Sequence, residues 1–189
     1  MINRAELKAK AKAQIKGNIG ILFLCYLIYL LICGTGIGAL AAPALMIGFI
    51  MMYLAMREGV KPQVGDLFKG FNLFGRALWL NILMGIFIYL WSLLLFVPGI
   101  IKALSYSMAP YILAENQDLT ARQALNKSKE LTKGHKWELF VLLLSFIPWF
   151  LLLSITFFIA GIYVIPYVQA TIANFYKEIS GAKQEPAVE

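Results

Sequence analysis

Side chains able to do acid–base or metal chemistry are few in this chain and far apart. His135 is its sole histidine. Cys25 and Cys33 have neither a histidine nor an acidic residue beside them, so zinc-type spacing is absent. They read as small apolar filler. No glycine-rich phosphate loop and no Ser-His-Asp set occurs. Glu115 and Glu138 could form a carboxylate pair. The simpler reading has Glu115 and Asp118 ending one helix and starting the next, with Glu138 meeting Lys133 or Lys136. Catalysis needs acids, bases, nucleophiles or metals brought together. The expectation is therefore a non-enzymatic protein, with no catalytic residue, no metal site and no cofactor.

The remaining polar residues of interest stand inside apolar runs, where they are costly. Asn81 is one; Gln169 and Asn174, with Thr171 between them, are others, and Ser105 and Ser107 add hydroxyls. Asn81, Gln169 and Asn174 form a candidate intramembrane polar cluster. They could line a small cavity, or serve as interhelical hydrogen bonds worth about 0.6–2 kcal/mol each. Lys102 is the single charge in its apolar block, placed to extend its amine toward headgroups.

The elements that hold these residues follow from charge and length. Of 189 residues, 60% are hydrophobic and 14% charged, with a mean hydropathy of +0.74. A soluble domain carries about 25% charged residues. Three blocks are nearly free of charge: 17–56, 77–114 and 139–176. A bilayer core of about 30 Å needs about 20 helical residues, so each block is too long for one span and fits two. Turn residues lie mid-block at Gly34 to Gly38, Pro98-Gly99 and Ala160-Gly161. The expectation is all-α: a polytopic membrane helical bundle of six transmembrane helices in three hairpins, spanning about 17–34, 38–57, 77–97, 99–116, 137–158 and 160–177. Ala39-Leu40-Ala41 resembles a signal cleavage site, but the uncharged run outlasts an h-region of about 7–15 residues.

Sixteen of the seventeen Lys and Arg, and all ten Asp and Glu, fall in residues 1–16, 57–76, 115–138 and 177–189. Six spans place those four segments on one side. Excess Lys and Arg mark the cytoplasmic side, so both termini are expected there. The net charge of +7 is thereby explained without nucleic acid. Residues 1–16 read as a basic N-terminal helix, with Asn3 and Glu6 at capping spacing. Lys8, Lys12 and Lys16 lie on one face of it. Phe68, Phe71 and Phe74, three apart, predict a short interfacial helix near 64–75. Residues 119–134 predict an amphipathic connecting helix capped by Thr120 and Gln123 and stopped by Gly134. Its stripe is Ala121, Ala124, Leu125, Ser128 and Leu131. Arg122, Lys127, Lys129 and Lys133 cover the rest. With Lys8, Lys12 and Lys16, those four are the candidate lipid-headgroup contacts. Residues 178–189 read as a flexible tail.

Small residues on the second and fourth spans predict an inner ring of even-numbered spans, with the third and fifth facing lipid. Pro110, Pro148 and Pro166 predict kinks. The first and third hairpins look related: Lys16-Gly17 matches Lys133-Gly134, with Leu22-Phe23 and Leu139-Phe140 in register. Pro110-Tyr111 likewise resembles Pro166-Tyr167.

The segments YSMAPYILAEN at 106–116, ALNKSKELTKGHKWELFVLLLSF at 124–146 and VIPYVQATIANFY at 164–176 carry a family resemblance, with the opening NRAELKAKAKAQIKGN. The chain resembles an uncharacterised family of bacterial integral membrane proteins, the domain of unknown function numbered nine hundred seventy-five. It is distantly similar to the membrane domain of glycerophosphodiester phosphodiesterases. Pro148 departs from the pattern, where glycine precedes the tryptophan. The resemblance implies six helices in a bacterial plasma membrane; it brings no established activity, so no catalytic residues carry over from it. Function is expected to run through membrane lipids with anionic headgroups, or through a membrane-protein partner. The alternative is a small-solute transporter or permease.

Overall fold

The computed structural model describes residues 3–94, 96–156 and 160–184. Among them every regular element is helical. In chain order these are α1 (Arg4–Ile15), α2 (Ile19–Gly34), α3 (Ala42–Arg57), α4 (Phe74–Leu94), α5 (Phe96–Tyr106), α6 (Ala109–Glu115), α7 (Ala121–Thr132), α8 (Lys136–Leu144), α9 (Ile147–Ile155) and α10 (Gly161–Gln184). Runs of 3₁₀ turn at Ile37–Ala41 and Val64–Leu73 precede α3 and α4. Of the expected tail, residues 178–184 continue α10, and 185–189 lie outside the described residues.

Proline decides where helices break. α3, α6 and α9 each open with proline as second residue, at Pro43, Pro110 and Pro148. Proline has no N–H for the carbonyl four residues back. α5 accordingly stops at Tyr106 and α8 at Leu144. Pro166, by contrast, lies within an unbroken α10.

Three helices are long and apolar enough to cross a membrane: Gly38–Arg57, Val64–Leu93 and Lys136–Leu153. A fourth results if α1 and α2, bent by 88°, count as one broken span. Length and apolarity thus support three or four crossings, fewer than the six expected. The shortfall has physical causes. α2 has 16 residues, roughly 24 Å, which is short of a bilayer core. α5 and α6 are separated by a break, and α10 carries Gln169, Asn174, Lys177 and Glu178. The arrangement is consistent with a membrane protein, because the outward faces are apolar: Leu31 is 67% exposed, Leu93 72% and Leu151 60%. A face of that kind in water would be an association site.

Helices divide into inner and outer. Gly38–Arg57 is 56% buried, against 17% for Val64–Leu93 and 22% for Lys136–Leu153. α3, α6 and α10 supply much of the core, including Leu45, Ile50, Leu113, Tyr167 and Phe175. The crossing of α3 with Val64–Leu73 brings backbone close to backbone. A Cβ on Gly48 would stand 2.0 Å from the Leu67 carbonyl oxygen, and one on Gly70 1.9 Å from that of Ala44. Only glycine permits that approach. The same 3₁₀ run stacks Phe68 on Phe71 and Phe71 on Phe74, each at 6.2 Å. A spacing of three eclipses side chains in a 3₁₀ helix.

The junctions α1–α2 and α7–α8 are the same structure 117 residues apart. Lys16 (φ −60, ψ 123), Gly17 (φ 84) and Asn18 (φ −112, ψ 4) repeat as Lys133 (φ −64, ψ 121), Gly134 (φ 93) and His135 (φ −109, ψ 2). Burial repeats at the same offset: Leu7, Ala11, Ile15, Leu22 and Cys25 against Ala124, Ser128, Thr132, Leu139 and Leu142. α1 packs on α10 and α7 on α6. The suspected kinship of the chain's first and third parts therefore holds at these junctions. α1 also buries more than its sequence suggested, since its stripe is Leu7, Ala11 and Ile15 rather than a solvated basic flank.

Candidate functional site

Charged groups from three helices meet where α3 and α6 finish against α10. Lys177 on α10 pairs with Glu115 on α6 and lies 3.8 Å from Glu58 beyond α3. The Tyr176 hydroxyl donates to Glu115. Arg57, Glu58, Glu115, Lys177 and Ser180 line an open cavity of about 330 Å³. Glu138 meets the His135 ring at 2.8 Å. The two carboxylates considered for acid–base work are therefore engaged in separate networks. Among the described residues no group of His, Cys, Asp and Glu could hold a metal ion.

Gln14, which sequence reasoning passed over, ties three helices together. Its Nε2 donates to the Tyr53 carbonyl of α3 at 3.0 Å, and its Oε1 accepts from Asn174 Nδ2 of α10 at 2.9 Å. Its signal was faint, a lone amide among alternating Lys and Ala. Asn174 is 1% exposed, and its Oδ1 has no hydrogen-bond partner among the described residues. Lys10, Gln14, Arg57 and Asn174 line a cavity of about 360 Å³. Gln169 opens instead on an apolar cavity of about 290 Å³ between α2, α3 and α10. Asn81 lines a third of about 140 Å³, against Pro43, Met84 and Pro110. Asn81, Gln169 and Asn174 are thus not brought together: each belongs to a different cavity. Periodicity placed them in apolar helices but could not say which faces meet.

The serines have a structural use. Ser105 lies just before the α5–α6 break, and its carbonyl accepts from Ser128 at 2.7 Å and from Thr132 at 3.4 Å. α7 thus supplies hydroxyls where the helix it covers is broken. α1 covers the unbroken α10 and carries Ala11 and Ile15 at the equivalent positions.

Of the seven candidate headgroup contacts, Lys12, Lys16, Arg122, Lys127, Lys129 and Lys133 are exposed, and Lys8 is half-buried. Lys8 Nζ donates to the Ser145 carbonyl at the α8–α9 break, at 3.4 Å, and lies 4.7 Å from the Phe146 ring centre. Burial, and then Arg4 and Lys12 nearby, lower its affinity for a proton below the usual lysine value. Lys8 is therefore a cap for a broken helix. Lys12 lies over Tyr167 at 5.8 Å and Lys129 over Tyr106 at 5.5 Å, again 117 residues apart. In that contact Tyr106 stands to Lys129 as Tyr167 stands to Lys12. Lys102 lies over Trp91 at 4.3 Å. The Thr120–Gln123 capping box is formed in both directions, and α7 turns its buried stripe to the bundle.

With the geometry set out, comparison adds one finding. Residues 93–183 match the family model described as Protein of unknown function (DUF975). Over that region the chain is similar to the DUF975 family. The match begins near the end of α4 and runs through α10, so it takes in the α5–α6 break, α7 and Asn174. No curated protein and no solved structure matches the chain. Likeness to the membrane domain of glycerophosphodiester phosphodiesterases therefore stays a resemblance of pattern.

Proposed function

We propose that this is a multi-pass protein of the bacterial plasma membrane, non-enzymatic, that works by holding anionic lipid at its charged end. In this reading it has six spans, short or broken ones included, with both termini cytoplasmic. The observation that carries it is the two-faced α7. Its inner face is buried as Ala121, Ala124, Leu125, Ser128 and Thr132, while Arg122, Lys127 and Lys129 are left exposed, with Lys133 at its end. Basic residues near an anionic surface contribute about 1 kcal/mol each. The Phe68–Phe71–Phe74 ladder adds an exposed aromatic anchor of the kind found at membrane interfaces.

The test is reconstitution into neutral and anionic liposomes, with stability and lipid retention measured in each. Equal values in both would refute the lipid reading. The transporter alternative needs one continuous path past Asn81 and Gln169. Those residues line separate cavities, which favours lipid over solute.

A further inference from the structure

The cavities at Gln169 and Asn174 both lie on the seam between α3 and α10. Met46, Phe49 and Tyr53 of α3 line the apolar one, together with Ile162, Ile165 and Gln169 of α10. Arg57, one turn past Tyr53, and Asn174, five residues past Gln169, line the polar one. The three- and four-residue steps from Met46 to Arg57 keep them on one stripe of α3. Gln14 bonds one residue of each cavity, Tyr53 and Asn174. Along the seam, chemistry therefore runs from aliphatic and aromatic, through one amide, to two cations and a buried acceptor lacking a donor.

The geometry points to a binding site for one phospholipid per chain, with a tail in the apolar cavity and a hydroxylated anionic headgroup in the polar one. This rests on the lipid reading above but concerns a different surface from α7. The apolar cavity, about 290 Å³, lies at the small end of ligand pockets, which run from about 300 Å³, and so takes only part of an acyl chain. Arg57 and Lys10 are placed to take the phosphate. Lys10 is only loosely held by Glu6, an exposed pair one turn away at 2.7 Å. Arg57 also borders Glu58 and Glu115, of whose two negative charges Lys177 offsets one. The deciding feature is Asn174 Oδ1. A buried acceptor without a donor is costly, and Gln14 already occupies the Asn174 amide nitrogen. A phosphate alone, being an acceptor, cannot satisfy it. A headgroup carrying a hydroxyl, such as the glycerol of phosphatidylglycerol, supplies both charge and donor.

The test uses the full chain in phosphatidylcholine nanodiscs doped with phosphatidylglycerol, with bound lipid counted by native mass spectrometry. One phosphatidylglycerol should be retained per chain. Phosphatidylmethanol, with the same charge but no hydroxyl, should be held several-fold more weakly. Replacing Lys10 and Arg57 together by Gln should lower retention at least about tenfold, as expected for losing charge-assisted contacts. Both residues are exposed, so the fold should survive, as near-ultraviolet circular dichroism would confirm. Replacing Arg122, Lys127, Lys129 and Lys133 by Gln should leave the retained lipid in place while weakening attachment to anionic liposomes. Loss of both effects in that α7 variant would overturn the separate site. So would retention unchanged by the Lys10 and Arg57 replacements, or phosphatidylcholine held equally well. Displacement by soluble glycerol 3-phosphate would show a water-side anion site and remove the tail from the proposal.

Discussion

Gly134 and Gly48 should fail for different reasons, and the difference tests the backbone of both junctions. Gly134 has φ 93, and a Cβ placed there meets nothing within 4 Å. Its substitution therefore costs only backbone strain. An L-residue in the left-handed region loses roughly 1–2 kcal/mol. For a chain of this length that is about 2–4 °C in Tm for each kcal/mol. Gly134→Val should show the full loss, and Gly134→Asn much less, because asparagine tolerates that region. Gly17, with φ 84 and equally open space, should give the same ordering. At Gly48 the backbone strain is absent, but a Cβ would stand 2.0 Å from the Leu67 carbonyl oxygen. That atom is backbone, so the Val64–Leu73 run must move away, and even alanine should cost about 1–3 kcal/mol or more. Thermal unfolding of the purified variants in one detergent measures each of these losses. If Asn at 134 were as harmful as Val, or Ala at 48 harmless, the reasoning from φ and from close approach would be refuted.

Gln14→Leu removes a donor from the Tyr53 carbonyl and an acceptor from Asn174; it should lower stability by about 1–3 kcal/mol in the same melts. Ser128→Ala frees the buried Ser105 carbonyl of its 2.7 Å bond and should cost about 0.6–1.7 kcal/mol, whereas Ser180→Ala, at the end of the bundle, should cost little. Replacing Arg122, Lys127, Lys129 and Lys133 by Gln should weaken attachment to anionic liposomes by about 1 kcal/mol per residue with Tm unchanged. A cysteine introduced at Lys129 in an otherwise cysteine-free chain should need a membrane-permeant reagent in intact cells; labelling from outside would reverse the orientation.

Much of this was readable from residue order, because it depends on neighbours in sequence. Local hydrogen bonding and conformational freedom fix the Thr120–Gln123 cap and the helix stop at Gly134 within a few residues. The three-residue spacing of Phe68, Phe71 and Phe74 carried the aromatic ladder for the same reason. Hydropathy separated apolar blocks from charged ends. It did not separate a helix that crosses from one that is bent or short, and length and apolarity leave three or four candidate crossings. Nor did it show that α1 docks on α10 through Leu7, Ala11 and Ile15. Alanine adds little to an amphipathic signal, yet its small size is what allows close packing. The polar residues show the limit most clearly. Composition placed Asn81, Gln169 and Asn174 in apolar helices; tertiary structure sent them to three cavities and brought Gln14, 160 residues away, to Asn174. Which helical faces meet depends on crossing and rotation of whole helices, quantities set by packing between segments and absent from any stretch of sequence read alone.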